Sequence, residues 1–302
     1  MKILLLGANG QVGSYLRHTL SSAGTVVASS RCGFDGALAC DLTRPGDLRD
    51  LLLRQRPDLV VNAAAYTAVD LAERERDAAI ALNADVPRII GDTVAAWHGG
   101  VIHFSTDYVF DGRSHRPYLE SDGTGPLGVY GQTKLMGEDA LAASGADYLI
   151  LRTAWVYSLR GRNFLTTMLQ LAGERPLLRV VDDQRGTPTS AGFVARATAG
   201  IVTRWATDFH TRNNLNGVYH LTAKGETTWF RFAQAIFAEA HSLGVLAQAP
   251  TVIPIPSADY PTPAARPAYS VLDIHKLEDV LGVIAPEWRS DLARVIASEY
   301  ER

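Results

Sequence analysis

The stretch KILLLGANGQVG, residues 2–13, constrains the fold more than any other part of this chain. A short continuous apolar run ends at Gly7, and Gly10 and Gly13 follow at three-residue spacing. An apolar run of this kind suits a strand covered on both faces. Glycines at this spacing suit a tight turn into a helix whose first N–H groups approach a pyrophosphate. The expectation is a dinucleotide-binding loop at the first strand–helix junction. Because glycine and asparagine follow the apolar run at once, the start reads as a buried strand and not as a signal peptide.

The pattern that follows agrees with that start. Residues 14–24 read as a helix ending at Gly24, TVVASS as a strand, and RPGDLRDLLLRQRP as a helix with proline near its start and another past its end. DLVVNAAA, GVIHFST and YLILRTAWVY read as strands, with a long helical stretch at residues 73–99 and another at residues 130–145 between them. Repeated strand–helix–strand predicts an α/β fold, a Rossmann-type doubly wound parallel sheet. From about residue 155 the rhythm breaks into strand-like pieces (LLRVVDD, GVYHLTA), two helices (TTWFRFAQAIFAEAHSLG, WRSDLARVIASEY) and a proline-rich loop, PIPSADYPTPAARP. We expect residues 1–152 to form the NADP-binding domain. Residues 153–302 should form mainly a smaller, interleaved substrate-binding domain, with some segments returning to the sheet.

Composition narrows the function. With 47% apolar and 20% charged residues among 302, the chain can bury a large core. A formal net charge of −3 argues against a nucleic-acid partner. No apolar run reaches the length of a membrane span. Cys32 and Cys40 lack nearby histidines and read as free thiols, not as a zinc site or a disulfide.

Four further stretches carry chemistry. The second predicted strand ends in Ser29-Ser30-Arg31, with no carboxylate to hold a ribose 2′-hydroxyl, and an arginine suits a 2′-phosphate. NADPH is therefore expected over NADH, with NADH possible. Asp41, followed by Leu42, suits either the adenine amino group or a turn. The small residues of Asn62-Ala63-Ala64-Ala65-Tyr66-Thr67 would let a cofactor approach the backbone at the end of a strand. In HFSTDYVFDG, Thr106 would present a hydroxyl to a substrate carbonyl, Asp107 would lie beside it, and His103 reads as a packed strand residue. Tyr130 stands four residues before Lys134, one of only four lysines. The pair alone is a weak signal. On a helix the two share a face, and an ammonium beside a phenol would lower the phenol pKa and make a usable acid.

Taken in order, the glycine motif, NAAAYTAVD, STDYVFDG, YGQTKLMGE, RTAWVY, GTPT and YPTPAARP resemble the extended short-chain dehydrogenase/reductase superfamily, and within it the dTDP-4-dehydrorhamnose reductase family, over essentially the whole chain. The resemblance implies an NADPH-dependent oxidoreductase reducing the C4 keto group of dTDP-4-dehydro-β-L-rhamnose. That is the last step towards dTDP-L-rhamnose, a nucleotide-sugar precursor of cell-surface polysaccharide such as the lipopolysaccharide O-antigen. It implies a cytoplasmic enzyme with a dTDP-sugar as its partner. By the same resemblance Tyr130 is the acid, Lys134 holds the nicotinamide ribose and tunes Tyr130, and Thr106 polarises the carbonyl. Gly10, Gln11 and Val12 match the phosphate loop. Ser30, Asp41, Leu42, Ala65, Tyr66, Thr67 and Phe104 match cofactor-lining positions. Trp155 matches a residue against the sugar, and Arg266 would reach the nucleotide diphosphate.

Some relatives place an acidic residue just after the third glycine and use carboxylates to gather magnesium at a dimer interface; here Ser14 and Tyr15 follow Gly13. No metal is therefore expected, and a homodimer stays open. Arg185, in DDQRGTPT, has no assigned role. Two other readings share the motifs: another dTDP-deoxysugar ketoreductase or nucleotide-sugar epimerase, and a non-catalytic regulatory subunit of the methionine adenosyltransferase type.

Overall fold

The computed structural model describes residues 1–34, 36–207 and 215–300; residues 301 and 302 of the expected second domain lie outside it. Its centre is a seven-stranded sheet. The strands in chain order are β1 (Lys2–Leu6), β2 (Thr25–Ser30), β3 (Leu38–Ala39), β4 (Leu59–Asn62), β5 (Gly100–Thr106), β6 (Asp147–Thr153) and a last strand, Gly217–His220. Their spatial order is β3-β2-β1-β4-β5-β6 and then Gly217–His220, every pairing parallel. The order reverses between β1 and β4, the crevice where sheets of this kind bind ligands.

Apolar runs in the strands are explained by burial on both faces. Ile3 and Leu5 pack on one side with Leu16, Phe193 and Trp205, and Leu4 and Leu6 on the other with Leu48, Ile90 and Leu141. The first cluster includes a helix that the sequence reading passed over, Ala191–Thr207, which lies against the first helix, α1 (Gln11–Thr19). Its small-residue face (AGFVARATAG) lacks strong apolar periodicity, so its docking partner decides it. A third cluster around Tyr157, Leu165, Phe232, Trp288 and Leu292 lies off the sheet. It includes the Phe164–Glu174 helix, also not read from sequence, which starts at a capping box of Asn163 and Thr166.

Three other expectations need correction. YLILRTAWVY is not one strand: β6 ends at Thr153, Trp155 turns with φ +45°, and Val156–Tyr157 pairs with Thr189–Ser190 outside the main sheet. The proline-rich segment is not all loop, because Thr251–Ile255 carries Pro254 in a strand beside Leu177–Val181. Pro254 sits on a two-stranded ladder, where its missing N–H need leave no partner unpaired. The predicted first helix begins earlier, at Gln11, and ends at Thr19 before a single 3₁₀ turn, Leu20–Ser22.

Candidate active site

A cavity of about 1010 Å³ runs along the carboxyl ends of β1, β2, β4, β5 and β6. One end is built by the glycine loop. Gly7 takes φ +73°, and a Cβ there would lie 2.7 Å from the backbone nitrogen of Ala64. Only glycine therefore lets the loop pass so close to the chain leaving β4. Gly13 is packed on the Gly7 carbonyl and does not itself line the cavity, whereas Gly7, Gly10, Gln11 and Val12 do. Helix α1 opens at Gly10 with no side-chain cap and no acidic residue in its first turn. Its first N–H groups are left for an anion.

Ser30, Arg31, Asp41, Leu42, Ala65, Thr67 and Phe104 line the cavity as expected from the sequence. Asp41 also makes a turn: its Oδ1 accepts from the backbone N–H and hydroxyl of Thr43, at 3.1 and 2.7 Å. These bonds hold its carboxyl below the usual carboxylate range. Tyr66 is not in the lining. Its hydroxyl donates to Glu75 at 2.7 Å, and its backbone is gripped by the amide of Asn83. That grip turns the side chain away and leaves Ala65 and Thr67 facing in. Asn83 itself is presented by a π-helical turn, Ala81–Asp85, inside the long helical stretch.

Four buried hydroxyls in the lining, those of Ser29, Ser30, Ser105 and Thr153, have no hydrogen-bond partner among the described residues. Buried polar groups are rarely left so. Together with the uncapped helix, they mark a polar ligand site.

The helix Val129–Ala142 delivers Tyr130 and Lys134. Its start has no cap of its own; Glu73 accepts the Val129 N–H at 2.8 Å from another element. Gly131 lies on the Tyr108 carbonyl, where any side chain would collide, so the helix sits close to the end of β5. One turn past Lys134, Glu138 forms a buried two-point ion pair with Arg152 of β6, at 2.6 and 3.0 Å. Removing one partner of such a pair leaves a stranded charge, so the helix is firmly tied to the sheet.

Tyr130, Lys134, Thr106 and Asp107 all line the cavity; Lys134, Thr106 and Asp107 are buried and Tyr130 is half-buried. The expected lowering of the Tyr130 pKa is not what the geometry produces. Burial pushes the phenol up to about 12, the Thr106 hydroxyl opposing and Asp107 adding to the rise. The reason is where Lys134 points: its Nζ donates to the Phe104 carbonyl at 2.6 Å and lies 3.1 Å from His103 Nε2. Lys134 is itself lowered to about 8, by burial against the pull of Glu138. Thr106 Oγ1 donates to Asp107 Oδ1 at 3.1 Å and accepts the Tyr108 N–H. Burial raises the Asp107 carboxyl to about 6, the Ser270 and Thr106 hydroxyls opposing. The arrangement holds a protonated phenol, a hydroxyl and a lysine of depressed basicity at the end of β5, which suits proton delivery to an oxygen.

The far wall is aromatic. Trp155 stacks on Trp229, ring centres 3.5 Å apart and planes at 5°, with Phe164 beside them. Trp229 and Phe164 were missed from sequence, since only packing brings residues 155, 164 and 229 together. Arg266 lies outside the lining and does not present a free guanidinium. It makes a two-point pair with Asp70, at 3.0 and 2.8 Å. Arg185 pairs with Glu226 at 2.8 Å.

Among the described residues, no group of three or more histidine, cysteine, aspartate or glutamate side chains is gathered to hold a metal. No helix among them is long and apolar enough to cross a membrane.

A family profile described as the RmlD substrate binding domain matches residues 1–301. A dTDP-4-dehydrorhamnose reductase of Burkholderia thailandensis is 44% identical over 291 residues, covering 96% of each chain. A crystal structure of a dTDP-4-dehydrorhamnose reductase from Clostridium acetobutylicum superposes with TM-score 0.87 at 35% identity, covering 99% of both chains. Another from Bacillus anthracis, in complex with NADP, gives TM-score 0.87 at 30% identity, covering 98% of this chain and 99% of its own.

Proposed function

The chain belongs to the RmlD substrate binding domain family and, with its relatives, to the dTDP-4-dehydrorhamnose reductases, and we propose that it uses NADPH to reduce the C4 keto group of dTDP-4-dehydro-β-L-rhamnose. The observation that carries this is the convergence of Tyr130, Thr106 and Lys134 in one cavity whose other end is the uncapped first turn of α1.

The residues present fit a dinucleotide. The orphaned hydroxyls of Ser29, Ser30, Ser105 and Thr153 need partners along the cavity, and the glycine loop leaves backbone N–H groups for a pyrophosphate. Ser30 and Arg31 stand at the end of β2 in the lining, and the Arg31 guanidinium, with Asp41 near it, suits a 2′-phosphate. When bound, NADPH supplies the hydride. Tyr130 is neutral at working pH and gives the sugar oxygen its proton. Thr106 holds that oxygen once its hydroxyl turns from Asp107. Lys134 follows one turn after Tyr130 on the same helix and lines the same cavity. The Trp155–Trp229 wall offers an apolar face to a deoxysugar ring. In this reading Arg266 reaches a diphosphate only by leaving Asp70.

We assign the cofactor domain to residues 1–152, joined by the Gly217–His220 strand and the Ala191–Thr207 helix. The off-sheet cluster around Phe232 carries the substrate domain. Two free cysteines, Cys32 and Cys40, fit a reducing compartment such as the cytoplasm.

The test is stoichiometric NADPH oxidation with dTDP-4-dehydro-L-rhamnose, followed by absorbance and by product identification, with Tyr130→Phe alongside. Net NADPH consumption forming dTDP-L-rhamnose, lost in the variant, supports the reading. Epimerised product without net oxidation would replace it with the epimerase reading.

A further inference from the structure

His103 is wholly buried on β5, and the steps above give it no part. Both of its ring nitrogens are nevertheless engaged. Nδ1 lies 3.1 Å from Asn62 Nδ2 on β4, and Nε2 lies 3.1 Å from Lys134 Nζ. The Asn62 amide has a defined orientation, because its Oδ1 accepts the backbone N–H of Ala64 at 3.2 Å. Only its NH₂ group is left for His103, and an amide NH₂ donates. Nδ1 must therefore accept, and a neutral imidazole then carries its proton on Nε2. A doubly protonated ring is opposed by burial and by Lys134 beside it. The Nε2–H so placed points at Lys134 Nζ. An ammonium has no lone pair to accept it, but an amine does.

We propose that His103 is a positioning residue whose fixed Nε2–H receives the amine form of Lys134, so that the lysine loses and regains a proton in each turnover instead of staying a permanent cation. The protons balance as follows. Tyr130 gives its O–H proton to the substrate oxygen, and the phenolate so left takes a proton from the Lys134 ammonium, forming the phenol O–H bond as an N–H bond of Nζ breaks. The electron pair of that bond stays on Nζ and accepts from His103 Nε2–H. A proton from solvent entering the cavity recharges Nζ.

Few other groups face this pair. Lys134 feels Glu138 on its own helix, whose carboxylate is occupied by Arg152 of β6; Tyr130 stands one turn earlier on that helix and lines the same cavity, with Thr106 and Asp107 beside it. His103 meets Asn62 from β4, and Ile150 is its register partner on β6.

The kinetic part of the proposal rests on the reductase reading; the tautomer does not. In ¹⁵N-histidine-labelled native protein, two-bond ¹H–¹⁵N spectra should show His103 as the Nε2–H tautomer, constant through the range where exposed histidines titrate. The missing signal in His103→Phe assigns it. An Nδ1–H pattern overturns the proposal, whatever the enzyme proves to catalyse. In kinetics, His103→Phe should move the basic limb of the kcat/KM profile up by roughly one pH unit, the size expected for one lost hydrogen bond. Asn62→Asp accepts from Nδ1–H and reverses the tautomer, so Nε2 then accepts from the ammonium and the limb should rise further. Limbs unmoved in variants that still bind NADPH also overturn it. Absent turnover with every keto-sugar defeats the reductase reading alone, and the spectrum still decides the tautomer.

Discussion

Replacing Lys134 with methionine should destroy turnover and at the same time change how stability depends on pH. Lys134 is 1% exposed, and burial holds it at about 8 instead of its ordinary 10.5. A base held low in the fold binds fewer protons there than in the unfolded chain. Stability of the natural protein therefore rises with pH between those two values, by about 1.4 kcal/mol per pH unit. The opposed free energy is roughly 3 kcal/mol in full below pH ~8, and it vanishes above pH ~10.5. Methionine has no such dependence. It also leaves the Phe104 carbonyl without its donor, at about 1–3 kcal/mol for a buried group left unpaired. The net change near pH 7 is therefore small, but its pH dependence is not. Urea unfolding followed by tryptophan fluorescence should show the difference between the two proteins move by about 2–3 kcal/mol between pH ~7 and ~10, in favour of the natural chain at high pH. The comparison cancels groups that both proteins share. Differences that stay parallel to within about 0.5 kcal/mol over that range would refute the account of Lys134 as a buried, discharging base.

Four other outcomes follow from the same site. Asp107→Asn should stabilise the protein above pH ~6 by up to roughly 3 kcal/mol, with the gain gone below about pH 4. The fold holds this carboxyl up at about 6, so the native chain loses stability as pH rises through that value; thermal melts across pH test it. Arg31→Ala should lower the preference for NADPH over NADH by roughly tenfold or more, the worth of a charge-assisted bond to a phosphate, read from kcat/KM for each cofactor. Gly13→Ala should abolish NADPH binding, measured by fluorescence titration, because the new methyl would meet the Gly7 carbonyl and push the loop out of shape. Arg152→Met should cost about 3–5 kcal/mol by leaving Glu138 buried and unpaired, and Tm should fall accordingly.

Much of this protein was legible along the chain. The glycine spacing, the apolar strands and the alternation with helices are local features, and they specify a doubly wound sheet because period and turn chemistry act over a few residues. Tyr130, Lys134 and Thr106 were legible for the same reason, sitting at the ends of recognisable elements.

What the chain could not show is where those side chains point. The spacing of Tyr130 and Lys134 suggested that one tunes the other, but burial raises the phenol, and Lys134 turns to His103 and Phe104. The pairing of Arg266 with Asp70 spans 196 residues, and the Trp155–Trp229 stack joins segments with no shared local signal. The Ala191–Thr207 helix is weakly patterned, and its small-residue face becomes meaningful only against α1. Charge state and contact depend on desolvation and on partners remote in sequence, and those exist only once the chain has folded.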